Sequence, residues 1–136
     1  MRTEDIRDLL DKAIKAREMS YSPYSGFAVG AALLCEDGTV FTGANIENSS
    51  YTPTVCAERV AFFTAVHCGY QSFSAIAIVG GKVGNPLDKT CPPCGVCRQI
   101  MSEFCRGDFK IILGDEESHS VYTLDELLPK RFEFEK

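Results

Sequence analysis

The chain has 136 residues, of which 45% are apolar and 24% are charged, and its formal net charge is -5. This length and apolar content predict one globular domain over residues 1–136. An acidic chain argues against a nucleic-acid partner, because such partners are bound largely through Lys and Arg. The charge favours a small-molecule ligand instead.

Membrane insertion and export are both disfavoured by the sequence. No apolar run approaches the roughly 18 residues that span a bilayer, and the acidic start over residues 1–5 does not resemble a signal peptide. We therefore expect no membrane partner and a cytoplasmic location. The seven cysteines would be reduced there, and closely spaced cysteines in such a compartment are typically metal ligands or catalytic groups.

The first third of the chain predicts a helix followed by a β-hairpin. The helix runs from about residue 4 to residue 19, with Thr3 as its N-cap and an apolar stripe at helical spacing. Strands over 27–34 and 40–44 flank the dipeptide Asp37-Gly38, which is typical of a hairpin turn.

The rest of the chain continues the alternation of helices and strands. In the second helix, Val60, Ala61 and Phe63 are expected to point inward. The alternation predicts an α/β fold with a mixed sheet covered by helices, although it does not determine the strand order. The remaining predicted elements are helix 56–66, strand 73–79, helix 94–104, strands 109–113 and 121–123, and a short helix opened by a capping box at 123–126.

Two cysteines lie three residues apart at the start of the third helix, in Cys94-Gly95-Val96-Cys97. This spacing places both sulfurs on one face, and the helix start lowers the pKa of nearby thiols. The pair therefore suits zinc, which binds thiolates. By itself it is also typical of a thioredoxin-like redox site or of half of a structural zinc site, or it is incidental.

A third cysteine begins the second helix, in Cys56-Ala57-Glu58-Arg59. Three thiolates leave one tetrahedral position for water, which is the arrangement of a catalytic zinc. A parallel sheet would bring both helix starts to the same end. Glu58 is the expected proton carrier. Because residues two apart in a helix point to nearly opposite faces, the site must lie off the end of the helix.

The order Cys-Ala-Glu, then Pro-Cys-x-x-Cys, resembles the zinc deaminase signature, with cysteine as the first ligand. Flanking segments, in order and with short gaps, make the chain similar to the small homotetrameric cytidine deaminases. The resemblance covers the chain from the first helix nearly to the C-terminus. The matching segments are 27–32, 45–48, 56–59, 93–99 and 127–129.

The resemblance implies a fold, an activity and a cofactor. The fold is a three-layer α/β/α sandwich with a mixed five-stranded sheet, and the assembly is a homotetramer with subunit-shared active sites. The activity is hydrolytic deamination of cytidine, and of 2′-deoxycytidine, to the uracil nucleoside and ammonia in pyrimidine salvage. One Zn²⁺ per subunit would be bound by Cys56, Cys94 and Cys97, while Glu58 would carry protons.

The resemblance also implies substrate contacts. Asn45 and Glu47 would hold the ribose hydroxyls, and Phe27 would pack against the nucleoside. Ala57 would offer backbone contacts to the base. Taken alone, these residues are typical of a polar loop, a strand and a helix start, so their assignment rests on the resemblance.

Three further residues complete the implied site. Arg59 would donate hydrogen bonds to the zinc thiolates, where a cation offsets the negative charge of three thiolates on one zinc ion. Tyr51 and Phe132 match positions through which a neighbouring subunit completes the pocket. The chain departs from the family pattern at residues 52–55, where Pro53 changes the entry to the second helix, and at Cys91.

Cys91 precedes Cys94 at the same three-residue spacing and is consistent with a different function. If it closed the fourth position, the zinc would be structural and the chain would be a non-catalytic interaction domain. The sequence is also consistent with a deaminase of a different amino substrate, such as an aminonucleoside antibiotic or a base in nucleic acid. A thiol redox protein that uses Cys94 and Cys97 is a further hypothesis.

Overall fold

The computed structural model describes residues 1–135, and Lys136, the last residue of the expected domain, lies outside the described residues. Within the described residues, four helices and five strands alternate largely as the sequence predicts. Their bounds are α1 Thr3–Arg17, β1 Phe27–Cys35, β2 Val40–Ala44, α2 Ala57–His67, β3 Phe73–Lys82, α3 Gly95–Phe104, β4 Lys110–Gly114, β5 His119–Thr123 and α4 Leu124–Leu127.

The five strands form one mixed sheet in the order β2-β1-β3-β4-β5. β1 is antiparallel to both β2 and β3, β3 is parallel to β4, and β4 is antiparallel to β5. The expected α/β fold with a mixed five-stranded sheet is therefore confirmed. Because β2 and β3 are both antiparallel to β1, they run in the same direction and end at the same edge of the sheet.

Helices cover both faces of the sheet, and alternate residues of β3 separate the two layers. Ala75, Ala77 and Val79 pack in one core cluster with Leu9 and Leu10 of α1. On the opposite face, the second cluster joins other β3 residues to α2, α3 and α4. The residues of that cluster on β3 and α2 are Phe73, Ile76, Ile78, Ala57, Ala61, Phe62 and Ala65.

Two local expectations were wrong. The N-cap of α1 is Arg2 rather than Thr3, because Arg2 is the extended residue before the helix and its N–H donates to Asp5. In α2 the inward aromatic is Phe62, which is fully buried, whereas Phe63 is 48% exposed. The buried stripe of α2 begins at Ala57 and includes Phe62. In this register Phe63 points away from the sheet.

The helices of the described residues are too short or too polar for a bilayer. Across residues 1–135, none of them combines the length and the apolar character that crossing a membrane needs.

Helix α1 packs directly on the backbone of β1 at Gly30. A Cβ atom at this position would overlap the carbonyl oxygen of Ala13 and would lie 2.7 Å from the backbone nitrogen of Arg17. The absence of a side chain therefore sets the distance between helix and sheet.

We predict that Gly30→Ala lowers the free energy of unfolding by about 1–3 kcal/mol, the usual penalty for overpacking a core. Urea unfolding of zinc-saturated protein, followed by circular dichroism, measures this change. The matched control is Gly95→Ala, because a Cβ at Gly95 meets no atom within 4 Å. Equal destabilisation by both substitutions would contradict the contact.

Candidate active site

Three cysteine sulfurs converge at the sheet edge where β2 and β3 end. Cys56 is the N-cap of α2, Cys94 is the N-cap of α3, and Cys97 lies in the first turn of α3. The Sγ atoms of Cys56 and Cys94 are 3.9 Å apart, and those of Cys94 and Cys97 are 3.6 Å apart. All three sulfurs lie within 4.8 Å of one another.

This geometry fits a zinc ion. Four tetrahedral ligands at the usual Zn–S distance of about 2.3 Å place neighbouring sulfurs about 3.8 Å apart, which agrees with the separations of the Cys56–Cys94 and Cys94–Cys97 pairs. The donor set is three sulfurs, and zinc binds thiolates readily. The residues present can therefore hold one zinc ion with a position left for another ligand.

Cys56 is favoured as a thiolate by its neighbours. Its pKa is lowered to about 5 by hydrogen bonding, first with Cys97 and then with Arg59. The Arg59 guanidinium Nη2 donates to the Cys56 sulfur at 3.4 Å. In the described part of the chain, the buried Nε of Arg59 has no hydrogen-bond partner. The cation predicted beside the thiolates therefore lies in contact with one of them.

The carboxyl group of Glu58 is buried beside these sulfurs, with only 4% of the residue exposed. Burial, followed by the charge of Cys56, raises the pKa of Glu58 to about 7. The neighbouring Cys97 thiol acts in the opposite direction and lowers the pKa of this carboxyl group. Such a group can both accept and donate a proton near neutral pH.

The two-residue spacing of Cys56 and Glu58 is explained by the helix boundary. Cys56 has an extended backbone, with φ -74° and ψ 153°, and α2 begins only at Ala57. Ideal helix geometry therefore does not apply between the two residues. The sulfur lies at the end of the helix, as the sequence requires, and the Glu58 side chain extends from the first turn.

Cys91 does not join the sulfur cluster. The group of mutually close ligand atoms in residues 1–135 consists of Cys56, Cys94 and Cys97. The Cys91 sulfur lies instead beside Gly80, where an added Cβ would approach it to 2.5 Å. Burial, followed by the charge of Glu58, raises the pKa of Cys91 to about 12. A neutral thiol at this place is a poor fourth ligand.

Asn45 lies at the end of the hairpin and joins its neighbours by three hydrogen bonds. Its Oδ1 accepts from the backbone N–H of Val29 at 2.8 Å and from the hydroxyl of Ser20 at 2.6 Å. Its Nδ2 donates to the carbonyl oxygen of Phe27 at 2.9 Å. The side chain thus positions Phe27, and one amide hydrogen is left for a ligand.

Glu47 is held by the preceding turn. Its Oε1 accepts from the backbone N–H groups of Tyr24 and Ser25 at 3.0 and 3.1 Å, and its Oε2 accepts from the Ser25 hydroxyl. The Ser25 hydroxyl is the main cause that lowers the pKa of Glu47. Ser25 also accepts from the N–H of Phe27 at 3.0 Å.

Ser25 is a residue that the sequence analysis did not single out. It lies between two residues expected to contact the substrate, and it touches both Glu47 and Phe27. Its position two residues before Phe27, in a turn rich in serine and proline, was the available signal. Ser25 contacts the carboxylate of Glu47, which belongs to a loop distant in the sequence. Local sequence therefore does not reveal this contact.

An open pocket of about 340 Å³ lies on the Glu47 side of the site, and Tyr51 lines it. Tyr51 is 75% exposed and has a positive φ of 66°. Phe132 lines a different groove, together with the outer face of α3, and is 67% exposed. Within one chain the structure therefore groups Glu47 with Tyr51 and leaves Phe132 apart from them.

Ala57 completes the set of expected site residues. It is fully buried as the first residue of α2, directly after Cys56. The N–H groups of a first helical turn have no intrahelical partners. The backbone there can therefore offer donors beside the sulfurs.

Comparisons with known proteins agree with this geometry. A family model described as the cytidine and deoxycytidylate deaminase zinc-binding region matches residues 3–113. The chain is 49% identical over 132 residues to a cytidine deaminase of Sporosarcina psychrophila, covering 94% of this chain and 91% of that protein. It is 48% identical to a cytidine deaminase of Halalkalibacterium halodurans, with 94% of each covered.

A solved structure gives the same result. The crystal structure of a cytidine deaminase from Burkholderia pseudomallei superposes with a TM-score of 0.84 at 41% identity. The match covers 97% of this chain and 100% of that one.

The separation of Cys91 from the cluster gives a test of the metal centre. We predict that Cys91→Ser keeps one zinc ion per chain, whereas Cys94→Ser loses tightly bound zinc because one of three sulfurs is removed. Metal analysis after dialysis against a weak chelator measures the zinc content, and circular dichroism verifies folding. A folded Cys91→Ser protein that lost its zinc would indicate a closed four-sulfur site.

Proposed function

Because this chain belongs to the cytidine and deoxycytidylate deaminase zinc-binding family, we propose that it hydrolyses cytidine, and 2′-deoxycytidine, to the uracil nucleoside and ammonia. The observation that carries the proposal is the buried carboxyl group of Glu58 beside three convergent sulfurs. The proposed catalytic domain spans residues 1–136, and the proposed role is in pyrimidine salvage.

In this proposal Cys56, Cys94 and Cys97 bind the zinc ion, and Arg59 stabilises the thiolates by donating to Cys56. When bound, zinc supplies a Lewis acid that lowers the pKa of a coordinated water toward neutrality. The guanidinium beside the sulfurs offsets part of their negative charge, so that the thiolate form is favoured.

Glu58 moves the protons of the reaction. With its pKa near 7, it accepts a proton from the attacking water and donates it to ring N3 of the base. It then takes the second proton of the same water to the departing amino group, which leaves as ammonia. One water is consumed, the C4–N bond is broken, and a C4 carbonyl is formed. Burial of the carboxyl group is what makes both directions of transfer accessible at neutral pH.

The substrate would be held by residues on both sides of the sulfurs. Glu47 has three hydrogen bonds from the turn, which leaves acceptor capacity for a ribose hydroxyl. Asn45 would donate its remaining amide hydrogen to the ribose. Phe27 would pack on the nucleoside, and the backbone at Ala57 would contact the base.

Spectrophotometry tests the proposed reaction. We expect purified, zinc-loaded protein to convert the absorbance of cytidine to that of uridine, and a zinc chelator to abolish the change. Parallel reactions with deoxycytidine, deoxycytidylate, an aminonucleoside antibiotic and single-stranded DNA determine the substrate class. No turnover of either nucleoside by zinc-loaded protein would overturn the proposal.

The role of Glu58 is tested in the same assay. We predict that Glu58→Gln retains zinc but loses about 10²–10⁴-fold in turnover, which is the usual contribution of a proton-transferring side chain. Glu116→Gln is the control, because Glu116 is an exposed residue of the β4–β5 turn. A Glu58→Gln protein with a near-normal rate would remove this residue from the mechanism.

We further propose a homotetramer in which Tyr51 and Phe132 of one subunit help to form the pocket of another. Both side chains are largely exposed in the isolated chain, although they are large and aromatic. A cytoplasmic location is also proposed, since the seven cysteines are free in the structure and three thiolates require a reducing compartment.

The assembly has its own test. We predict a mass of four chains by light scattering, and an increase in KM of about tenfold for Phe132→Ala, since burying a Phe side chain is worth about 1.5–3 kcal/mol. Phe134→Ala is the matched control from the same tail, where Phe134 is 79% exposed. A monomer in solution, or equal effects of the two substitutions, would contradict the shared pocket.

A further inference from the structure

Arg98 follows the metal-ligand pair in α3 and has no part in the chemistry described above. Its guanidinium Nε donates to the carbonyl oxygen of Pro93 at 2.8 Å. Its Nη1 donates to the carbonyl oxygen of Leu127 at 2.6 Å. Both bonds are partly buried, and the second spans 29 residues of sequence. One side chain thus joins the loop before α3 to the last residue of α4.

The Pro93 carbonyl oxygen, which accepts from Arg98, belongs to the peptide group between Pro93 and Cys94. The backbone N–H of Arg98 also donates to the carbonyl oxygen of Cys94, at 3.0 Å. Arg98 therefore holds the carbonyl groups on both sides of the Cys94 α-carbon. When these two peptide planes are fixed, the direction of the Cα–Cβ bond is fixed as well, and with it the volume that the sulfur can reach.

The loop before α3 is held by side-chain packing, including that of the fully buried Pro93, rather than by regular secondary structure. No helix or strand is present between the end of β3 at Lys82 and the start of α3 at Gly95. Pro93 has no backbone N–H to donate, so its carbonyl oxygen is the polar backbone group that it offers. An arginine suits that group, because its planar fork reaches two acceptors at once.

The far end of the connection is firmly anchored. Leu124 of α4 is fully buried, and its N–H donates to the carbonyl oxygen of Phe109 at 3.0 Å. The helix start is closed by reciprocal hydrogen bonds between Thr123 and Glu126. Leu127 therefore offers a carbonyl oxygen with a defined position, against which Arg98 can hold the loop.

We propose that Arg98 is a positioning residue of the metal centre, which orients Cys94 by fastening the peptide groups around it to α4. The inference rests on the three-cysteine zinc site of the proposed function. It assigns to Arg98 a contribution to zinc affinity rather than to the chemical step. Arg98 does not need to touch the metal or the substrate for this role.

The test is the zinc affinity of zinc-loaded, full-length protein, measured by competition with a chromophoric chelator. Arg98→Met keeps the apolar stem and removes the donors. We expect it to bind zinc roughly tenfold more weakly, at the lower end of the loss caused by removing groups that orient metal ligands. Arg98→Lys keeps the charge but cannot reach both carbonyl groups, and its zinc affinity should lie between those of Arg98→Met and the unaltered protein.

Arg7→Met is the matched control. The Arg7 Nη2 donates to a distant backbone carbonyl oxygen, that of Asp115, at 2.7 Å, and it is likewise partly buried. It joins α1 to the β4–β5 turn rather than to the metal loop. We expect this variant to lose stability in urea and to keep the zinc affinity of the unaltered protein.

The outcomes separate a positioning role from a merely structural one. Unchanged zinc affinity in folded Arg98→Met overturns the inference, as does an equal loss in Arg7→Met. If Arg98→Met does not fold, Arg98→Lys decides, and an unaltered affinity in that variant overturns the inference. An unaltered protein that binds no zinc overturns the proposed function itself, which is a distinct result.

Discussion

The site depends on the meeting of two helix starts at one edge of the sheet. β2 and β3 run in the same direction although β1 separates them, so the chain leaves both strands at the same edge. α2 and α3 then begin there with a cysteine as the N-cap of each. No single segment contains the three-sulfur group. It exists because an antiparallel strand between β2 and β3 aligns their ends.

Helix α2 packs closely on the sheet next to this meeting point. A Cβ at Gly43 of β2 would lie 2.7 Å from the backbone nitrogen of Ala61, so the helix rests on the strand backbone itself. The same location has opposite effects on two acids. Hydrogen bonds lower the pKa of Cys56, while deep burial raises the pKa of Glu58. A thiol with a lowered pKa and a carboxyl group with a raised pKa thus lie side by side.

Much of this arrangement could be predicted from the sequence. The hairpin turn at Gly38, the order of elements and the helix starts at the cysteines all have local signals, and they are present in the structure. The errors are also local: the N-cap of α1 moved by one residue, and Phe62 rather than Phe63 faces the core. Periodicity tolerates such shifts, because a short helix with several apolar residues fits more than one register.

Other features had no local signal. The strand order, the exclusion of Cys91 from the sulfur group and the Ser25–Glu47 contact all depend on which distant segments become neighbours. Judged by spacing alone, Cys91 is as good a candidate for a zinc ligand as Cys94. The structure distinguishes them because Cys91 packs against Gly80 of β3, before the chain reaches the start of α3.

The hydrogen bond between Arg98 and Leu127 has a consequence for the order in which the protein is made. All three cysteines of the sulfur group are added to the growing chain before α4 is. A nascent chain that ends before residue 127 holds every sulfur but lacks the acceptor that fastens the metal loop from outside. The loop around Cys94 can therefore be fastened to α4 only after residue 127 has been added, which is later than the synthesis of all three sulfurs.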